Sequence, residues 1–169
     1  MISAGVKSAQ LATRNNRVAV LSTPGTARRH GYLRAMSLLD PTVDMIELQS
    51  QELVNLIEAG TIDGRDVTDY ASDVLKPVHE FGADTLVLGC THFPFLTRLM
   101  ESILGPSVKI VDPSKELAYE VGLVLEKCRL KTGSVHPDRF LTTGDAGDFL
   151  DKAHLFLGDY VSSVEVADL

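Results

Sequence analysis

The chain has 169 residues with 16 Lys+Arg against 23 Asp+Glu, a formal charge of −7, and is 44% hydrophobic and 23% charged. That balance suits one domain or two small ones with a buried core, excludes intrinsic disorder, and counts against nucleic acid as a partner, because phosphate counterions are replaced by cations. No stretch approaches the ~18 consecutive apolar residues of a membrane span, the first residues do not read as a signal peptide, and Cys90 and Cys128 make no disulfide framework, so a cytoplasmic protein with no membrane partner is expected.

Arg17–Ser22 reads as a short buried strand, followed by Thr23-Pro24-Gly25-Thr26 and a helical pattern through Leu39. Val43–Leu48 is a second strand, and Leu53, Val54, Leu56 and Ile57 form the apolar face of a short helix stopped by Gly60. Apolar positions at Val67, Tyr70, Ala71, Val74 and Val78 predict a longer helix from Gly64 to Phe81, with Pro77 near its last turn. Thr85–Leu88 is continuous and apolar, the pattern of a strand covered on both faces. Gly89–Pro94 is a loop, Phe95–Leu104 a helix closed by Gly105-Pro106, and Val108–Val111 another buried strand. Asp112-Pro113-Ser114 opens a helix to about Leu130; Phe140–Thr142 and Val161–Val166 are late strands, with a helix over Asp145–Phe156 between them. Strand and helix alternating in this way specify an α/β fold, a mainly parallel sheet flanked by helices. The strands up to residue 111 make a self-sufficient unit, whereas the later ones are too few to bury both faces, so domains are expected at 1–111 and 112–169.

The chemistry concentrates in Gly89-Cys90-Thr91-His92-Phe93-Pro94. A buried strand delivers Cys90 to its carboxyl end, where open α/β sheets place their ligands. Gly89 allows close backbone approach, Thr91 suits a helix N-cap, and Pro94 suits the first helical turn. A helix N-terminus and the imidazole of His92 both favour a thiolate able to act as base or nucleophile. A lone Cys or His is more often a packed or satisfied residue; the combination at a strand end points the other way. One Cys-x-His pair supplies two ligands where zinc takes three or four, so no metal is expected.

The hexapeptide resembles the second catalytic motif of the glutamate racemases, in the cofactor-independent aspartate/glutamate racemase superfamily. Val20-Leu21-Ser22-Thr23-Pro24-Gly25-Thr26 is similar to the family's strand and Thr-x-x-Thr loop, Leu53–Gly60 to its short helix bearing an active-site glutamate, and Phe140-Leu141-Thr142-Thr143-Gly144 to its C-terminal strand. Aspartate racemases usually carry a glutamate where His92 stands. The resemblance implies a racemase-type α/β domain, no cofactor, and glutamate as the small-molecule substrate, with D-glutamate made for peptidoglycan. It implies that Cys90 is one of two catalytic thiols, that His92 assists it and contacts substrate with Thr91, that Thr23 and Thr26 lie near the substrate carboxylates, and that Glu58 supports the site. Taken alone, Thr23 and Thr26 are rather a turn and helix cap, and Glu58 a solvated helix charge.

The family's Asp-Ser-Gly loop and Ala-Cys-Asn-Thr motif, which carries the other thiol, do not occur in the chain. Met1-Ile2-Ser3-Ala4-Gly5 resembles a point well inside a complete racemase. The expectation is one complete racemase domain, 1–111, plus a remnant of its partner domain, 112–169, in a chain inactive alone. Cys128 shares a helical stripe with Leu117, Val121 and Val124 and reads as core or interface packing. His30, His79, His136 and His154 share no ligand spacing and read as surface residues. The alternatives are a non-catalytic module that forms homo-oligomers through uncovered sheet or helix faces, or another amino-acid racemase of the superfamily.

Overall fold

In the computed structural model, which describes residues 1–131 and 137–168, the chain divides into two compact units, Met1–Lys127 and Cys128–Leu169. The first is built on four strands, β1 (Arg17–Ser22), β2 (Asp44–Gln49), β3 (Thr85–Leu88) and β4 (Lys109–Val111), in the order β2-β1-β3-β4 with every pair parallel. Val18–Leu21 and the whole of β3 are buried, which is why both read as unbroken apolar runs. On one face Val18, Val20, Val87 and Val111 pack with Val6 and Ala9 of α1 (Ile2–Ala12) and Tyr32 and Met36 of α3 (Gly31–Leu39). Side chains alternate along a strand, so Leu21, Leu86 and Leu88 turn to the opposite face. There α4 (Glu52–Glu58), α5 (Arg65–Phe81) and α6 (Thr97–Leu104) bury Leu53, Ile57, Leu75, Val78 and Met100.

Several elements differ from the sequence reading. Nothing in that reading placed a helix before residue 17, because α1 buries Ala4, Gly5, Val6 and Ala9, small residues that give a faint apolar stripe. A Cβ on Gly5 would stand 2.9 Å from Tyr32 Cε1 and 3.2 Å from Pro113 Cγ, so α1 has to be small where α3 and α7 (Pro113–Lys127) meet it. Lys7 Nζ also donates to Glu120 of α7 at 2.6 Å. The compact units therefore divide after Lys127 rather than after Val111. The helical pattern through Leu39 is broken into α2 (Pro24–Ala27) and α3 by His30, in the left-handed region at φ 47°. Pro77 is accommodated inside α5, which continues to Phe81 and stops at Gly82, φ 72°.

The amino-terminal ends of the strands are held by Asp84. Its carboxylate accepts from Thr13 Oγ1 at 2.7 Å, Thr85 Oγ1 at 2.9 Å, and the Arg14 and Asn15 amides at 2.7 and 2.9 Å, tying the α1–β1 connection to β3.

In the second unit, β5 (Leu141–Thr142) pairs in parallel with β6 (Glu165–Val166), and α8 (Ala146–Leu157) is capped by Asp145, which accepts from the Asp148 amide at 2.8 Å. The late strand expected over Val161–Val166 is confined to its last two residues; His154 Nε2 contacts the Val161 carbonyl at 3.0 Å instead. His136 lies outside the described residues. Among the described residues, no helix is long and apolar enough to cross a membrane.

Candidate active site

The strand order makes a place for a ligand. From β1 the chain crosses to β2 on one side, then returns past β1 to β3 and on to β4. The loops leaving β1 and β3 therefore diverge, and open α/β sheets bind ligands in the crevice at such a reversal, outside the strands' carboxyl ends. The β1 loop carries Thr23 and Thr26; the β3 loop carries Gly89, Cys90, Thr91 and His92.

Gly89 continues the ladder for one bond, its amide donating to Leu21 O at 2.7 Å. A Cβ at this position would lie 2.9 Å from that same oxygen and 3.1 Å from Ser22 Cβ, so only glycine lets the two strand ends stay so close. Cys90 follows, half-buried. Its Sγ is 3.7 Å from His92 Nδ1, and His92 Nε2 is 3.0 Å from Glu58 Oε1. Glu58 is the last residue of α4, anchored by buried Leu53, Val54 and Ile57, while the Leu53 amide donates to Ser50 Oγ at 3.1 Å and the Ser50 amide to Ser22 O at 3.1 Å. The β2–α4 junction is thus fixed to the end of β1, and that places the carboxylate behind the imidazole.

The chain of contacts has a direction. An ionised carboxylate only accepts, so the Nε2–H of His92 donates to Glu58 and Nδ1 is left as the acceptor for the thiol proton of Cys90. If that proton moves to Nδ1, the product is a thiolate beside an imidazolium whose far side rests on a carboxylate, the arrangement that activates sulfur nucleophiles and bases. The pair is partly open to solvent, with 28% and 41% of the His92 and Glu58 side chains exposed, so screening moderates it.

Cys90, Thr91, Thr23, Thr26 and Tyr32 line one cleft of about 290 Å³. Thr23 Oγ1 and Thr26 Oγ1 are 3.2 Å apart. Thr23 stands at the N-cap position of α2, its carbonyl accepting from the Thr26 and Ala27 amides at 3.0 Å each, but its side chain makes no capping bond. Cys90 and Thr91 also line a second cleft of about 560 Å³ with Phe95, Asp112, Leu117 and Val121. Tyr32, 1% exposed, is a site residue that sequence reasoning missed, since an aromatic in an apolar helical stripe signals only core. Burial, with a smaller contribution from Cys90, pushes its hydroxyl up to about 12.

Two expectations are corrected. Thr91 does not cap a helix: the turn after it is a 3-10 segment, Phe93–Leu96, with His92 at its N-cap position and no side-chain cap, and α6 begins only at Thr97. The imidazole rather than an α-helix N-terminus is therefore the group beside the thiol. Cys128, expected in core or interface packing, is exposed beyond the end of α7, which corrects the core half of that reading.

A doubly wound parallel sheet that gathers a thiol, an imidazole and a carboxylate at its reversal point defines an α/β domain equipped for acid–base or nucleophilic chemistry. The Asp/Glu/Hydantoin racemase family matches residues 1–121, and the chain belongs to that family. It is 34% identical over 170 residues to the glutamate racemase of Thermoanaerobacter sp. (strain X514), covering all of this chain and 64% of that one. To the glutamate racemase of Mycobacterium leprae it is 37% identical over 172 residues, covering 100% of this chain and 63% of the relative. Among solved structures, a glutamate racemase isoform of Bacillus anthracis superposes with a TM-score of 0.91 at 30% identity, over 99% of this chain and 63% of that one. The glutamate racemase of Francisella tularensis subsp. tularensis in complex with D-glutamate gives 0.86 at 27% identity, over 99% and 62%. The chain thus spans just under two thirds of the length of these relatives.

Proposed function

We propose that this chain carries one of the two proton-transfer faces of a glutamate racemase, a cofactor-independent isomerase that interconverts L- and D-glutamate. The observation that carries the reading is the Cys90–His92–Glu58 line of contacts at the strand reversal, in a chain of this family whose relatives described above are glutamate racemases. The D-glutamate complex of the Francisella relative supports glutamate as the small-molecule ligand. On this reading the enzyme supplies D-glutamate for peptidoglycan in the cytoplasm, and the second unit belongs to the partner domain of the racemase fold.

Racemisation breaks the α C–H bond on one face of the carbon and makes a new one on the other. The Cys90 thiolate accepts the proton and becomes a thiol; the electron pair left behind delocalises into the α-carboxylate, which hydroxyl and backbone N–H donors must hold as charge grows on it. Thr23, Thr26 and Thr91 supply hydroxyl donors to the cleft, which Tyr32 also lines. His92, held by Glu58, sets the protonation of the sulfur at the start and end of each turnover. A thiol on the opposite face then returns a proton and is left as thiolate. The other cysteine of the sequence, Cys128, is in the second unit and has no such surroundings among the described residues.

The 169-residue polypeptide by itself is therefore a one-face catalyst. Incubated with each glutamate enantiomer in heavy water, it exchanges the α-proton of one of them with retention, and the optical rotation does not change; Cys90→Ala abolishes the exchange. Racemisation by the isolated polypeptide, or exchange that persists in Cys90→Ala, overturns the assignment. The apolar residues that α7 exposes, Tyr119, Val121 and Val124, favour a second reading in which the chain associates with itself. Light scattering with and without D-glutamate separates the two: a monomer at all concentrations removes the oligomer.

A further inference from the structure

The segment from Thr23 to Leu39 contains Arg28, Arg29, His30 and Arg34 and no Asp or Glu, in a chain whose formal charge is −7. Folding sharpens this segregation. The left-handed residue His30 turns the chain between α2 and α3, and the bend brings Arg29, just before it, and Arg34, a turn beyond it, to the same open cleft of about 430 Å³. Thr23, Thr26 and Ile2 line that cleft too, and these same three residues border the cleft of Cys90. His30 is engaged by Glu47, Nδ1 to Oε2 at 2.7 Å. Arg29 and Arg34 have no carboxylate partner among the described residues, and both side chains are exposed.

Such a donor set selects its ligand. Two guanidiniums stay charged at any working pH and present only N–H donors; the two threonine hydroxyls can add two more. What satisfies them is a group rich in acceptors and carrying more than one negative charge, which paired arginines bind in bidentate fashion. The chain is acidic overall but carries no Asp or Glu before Asp40, so an anion is drawn toward the amino-terminal part that includes this segment.

We propose that the Arg29–Arg34 cleft is an accessory oxyanion site, distinct from the Cys90 cleft but sharing its threonine rim, that binds a multiply charged phosphate or polycarboxylate. It stands on charge and shape alone and does not depend on the racemase reading. Because Thr23 and Thr26 border both clefts, an anion seated here changes the affinity of the Cys90 cleft for its own ligand, and the reverse holds by the same factor.

The test is a calorimetric titration of the 169-residue chain at about 0.15 M ionic strength, where charges more than a Debye length apart are screened, with inorganic pyrophosphate and, separately, citrate. At least one of them binds saturably, and the tighter of the two identifies phosphate or carboxylate as the group recognised. Arg29→Gln and Arg34→Gln each weaken binding at least ~5-fold, as loss of a charge-assisted contact at an exposed site requires. Arg28→Gln removes the same charge next door without touching the cleft and changes binding less than ~2-fold, because through-solvent charge effects are screened. Cys90→Ala, which ends the chemistry proposed above, binds the anion as the parent does, so the two readings fail separately. Absence of saturable binding by either anion, or an Arg28→Gln loss equal to those at Arg29 and Arg34, overturns the proposal. All three arginines are exposed, so these variants keep the fold, and a thermal unfolding curve verifies it.

Discussion

Replacing Gly89 by alanine adds one methyl group at the tightest point of the site. The new Cβ would lie 2.9 Å from Leu21 O, 3.1 Å from Ser22 Cβ and 3.1 Å from Val20 Cγ2. A methyl has no torsion with which to turn aside, and two of the three obstacles are a backbone oxygen and a Cβ, so β1 and β3 must separate at their carboxyl ends. Overpacking of this kind costs about 1–3 kcal/mol, and the Gly89 N–H to Leu21 O bond that must lengthen adds about 1 kcal/mol. A total of about 3 kcal/mol, divided by a urea m-value of roughly 2 kcal/mol/M, lowers the unfolding midpoint by ~1.5 M. The same movement carries Cys90 and His92 together away from Glu58, which is tied to β1 through Ser50 and Ser22, so alkylation of Cys90 by iodoacetamide slows by about 3-fold while that of exposed Cys128, quantified on its own peptide, is unaltered. An alanine variant with the parent's midpoint and the parent's Cys90 reactivity refutes the argument that strand proximity at Gly89 positions the sulfur.

Three further outcomes follow from the same contacts. His92→Asn lowers the Cys90 alkylation rate at neutral pH about 10-fold, and Glu58→Gln about 3-fold because a partly exposed ion pair is screened; equal rates in parent and His92→Asn would break the proposed relay. Asp84→Asn loses stability only where the carboxylate is charged. Burial pushes the Asp84 carboxyl up, but donation from Thr13, the Arg14 amide, Thr85 and the Asn15 amide outweighs it and holds the group below its ordinary 3.8. Its contribution is therefore full above the unfolded value and lost as pH falls through the folded one: the variant is about 2 kcal/mol less stable at pH 7, and the difference shrinks at an acid pH below the ordinary 3.8. Urea midpoints at the two pH values decide this, a constant difference counting against it. Gly5→Ala sets a methyl 2.9 Å from Tyr32 Cε1 and 3.2 Å from Pro113 Cγ, and costs about 1–3 kcal/mol in a urea titration unless α1 does not pack there.

What could be read from the sequence was what is encoded locally. β1 and β3 occupy the residues expected because Arg17–Ser22 and Thr85–Leu88 are bounded apolar runs whose burial is a property of the run itself. Cys90 and His92 were visible for the same reason, two residues apart at a strand end. Glu58 was legible only through the family resemblance, since its partner His92 is 34 positions away and a glutamate ending a short helix has no local mark of function. Tyr32 and α1 escaped because their roles depend on distant neighbours: Gly5 and Ala9 look like weak helix material until Tyr32, Val87 and Pro113 are set against them. The boundary at 111/112 failed to mark the division into compact units for a related reason. Asp112-Pro113 is a local break, but Lys7–Glu120 and the Gly5–Pro113 approach join α7 to residues more than a hundred positions earlier.

On the racemase function proposed above, the topology also bears on why one sulfur would not be enough. The groups at the crevice arrive from loops on the same rim of one sheet: Thr23 and Thr26 after β1, Cys90 to His92 after β3, and Glu58 from the helix after β2, whose start is tied to β1 through Ser50 and Ser22. A carbanion flattened by delocalisation into its carboxylate has two faces, and an amino acid lying across such a rim turns only one of them toward the sheet. The opposite face looks away from every element that could deliver a base from this rim, and a thiol must stand within hydrogen-bond reach of the α-hydrogen to act. Proton return with inversion therefore calls for a second rim facing the first. Removal and return on the same face, which leaves configuration untouched, is the chemistry that one rim can perform.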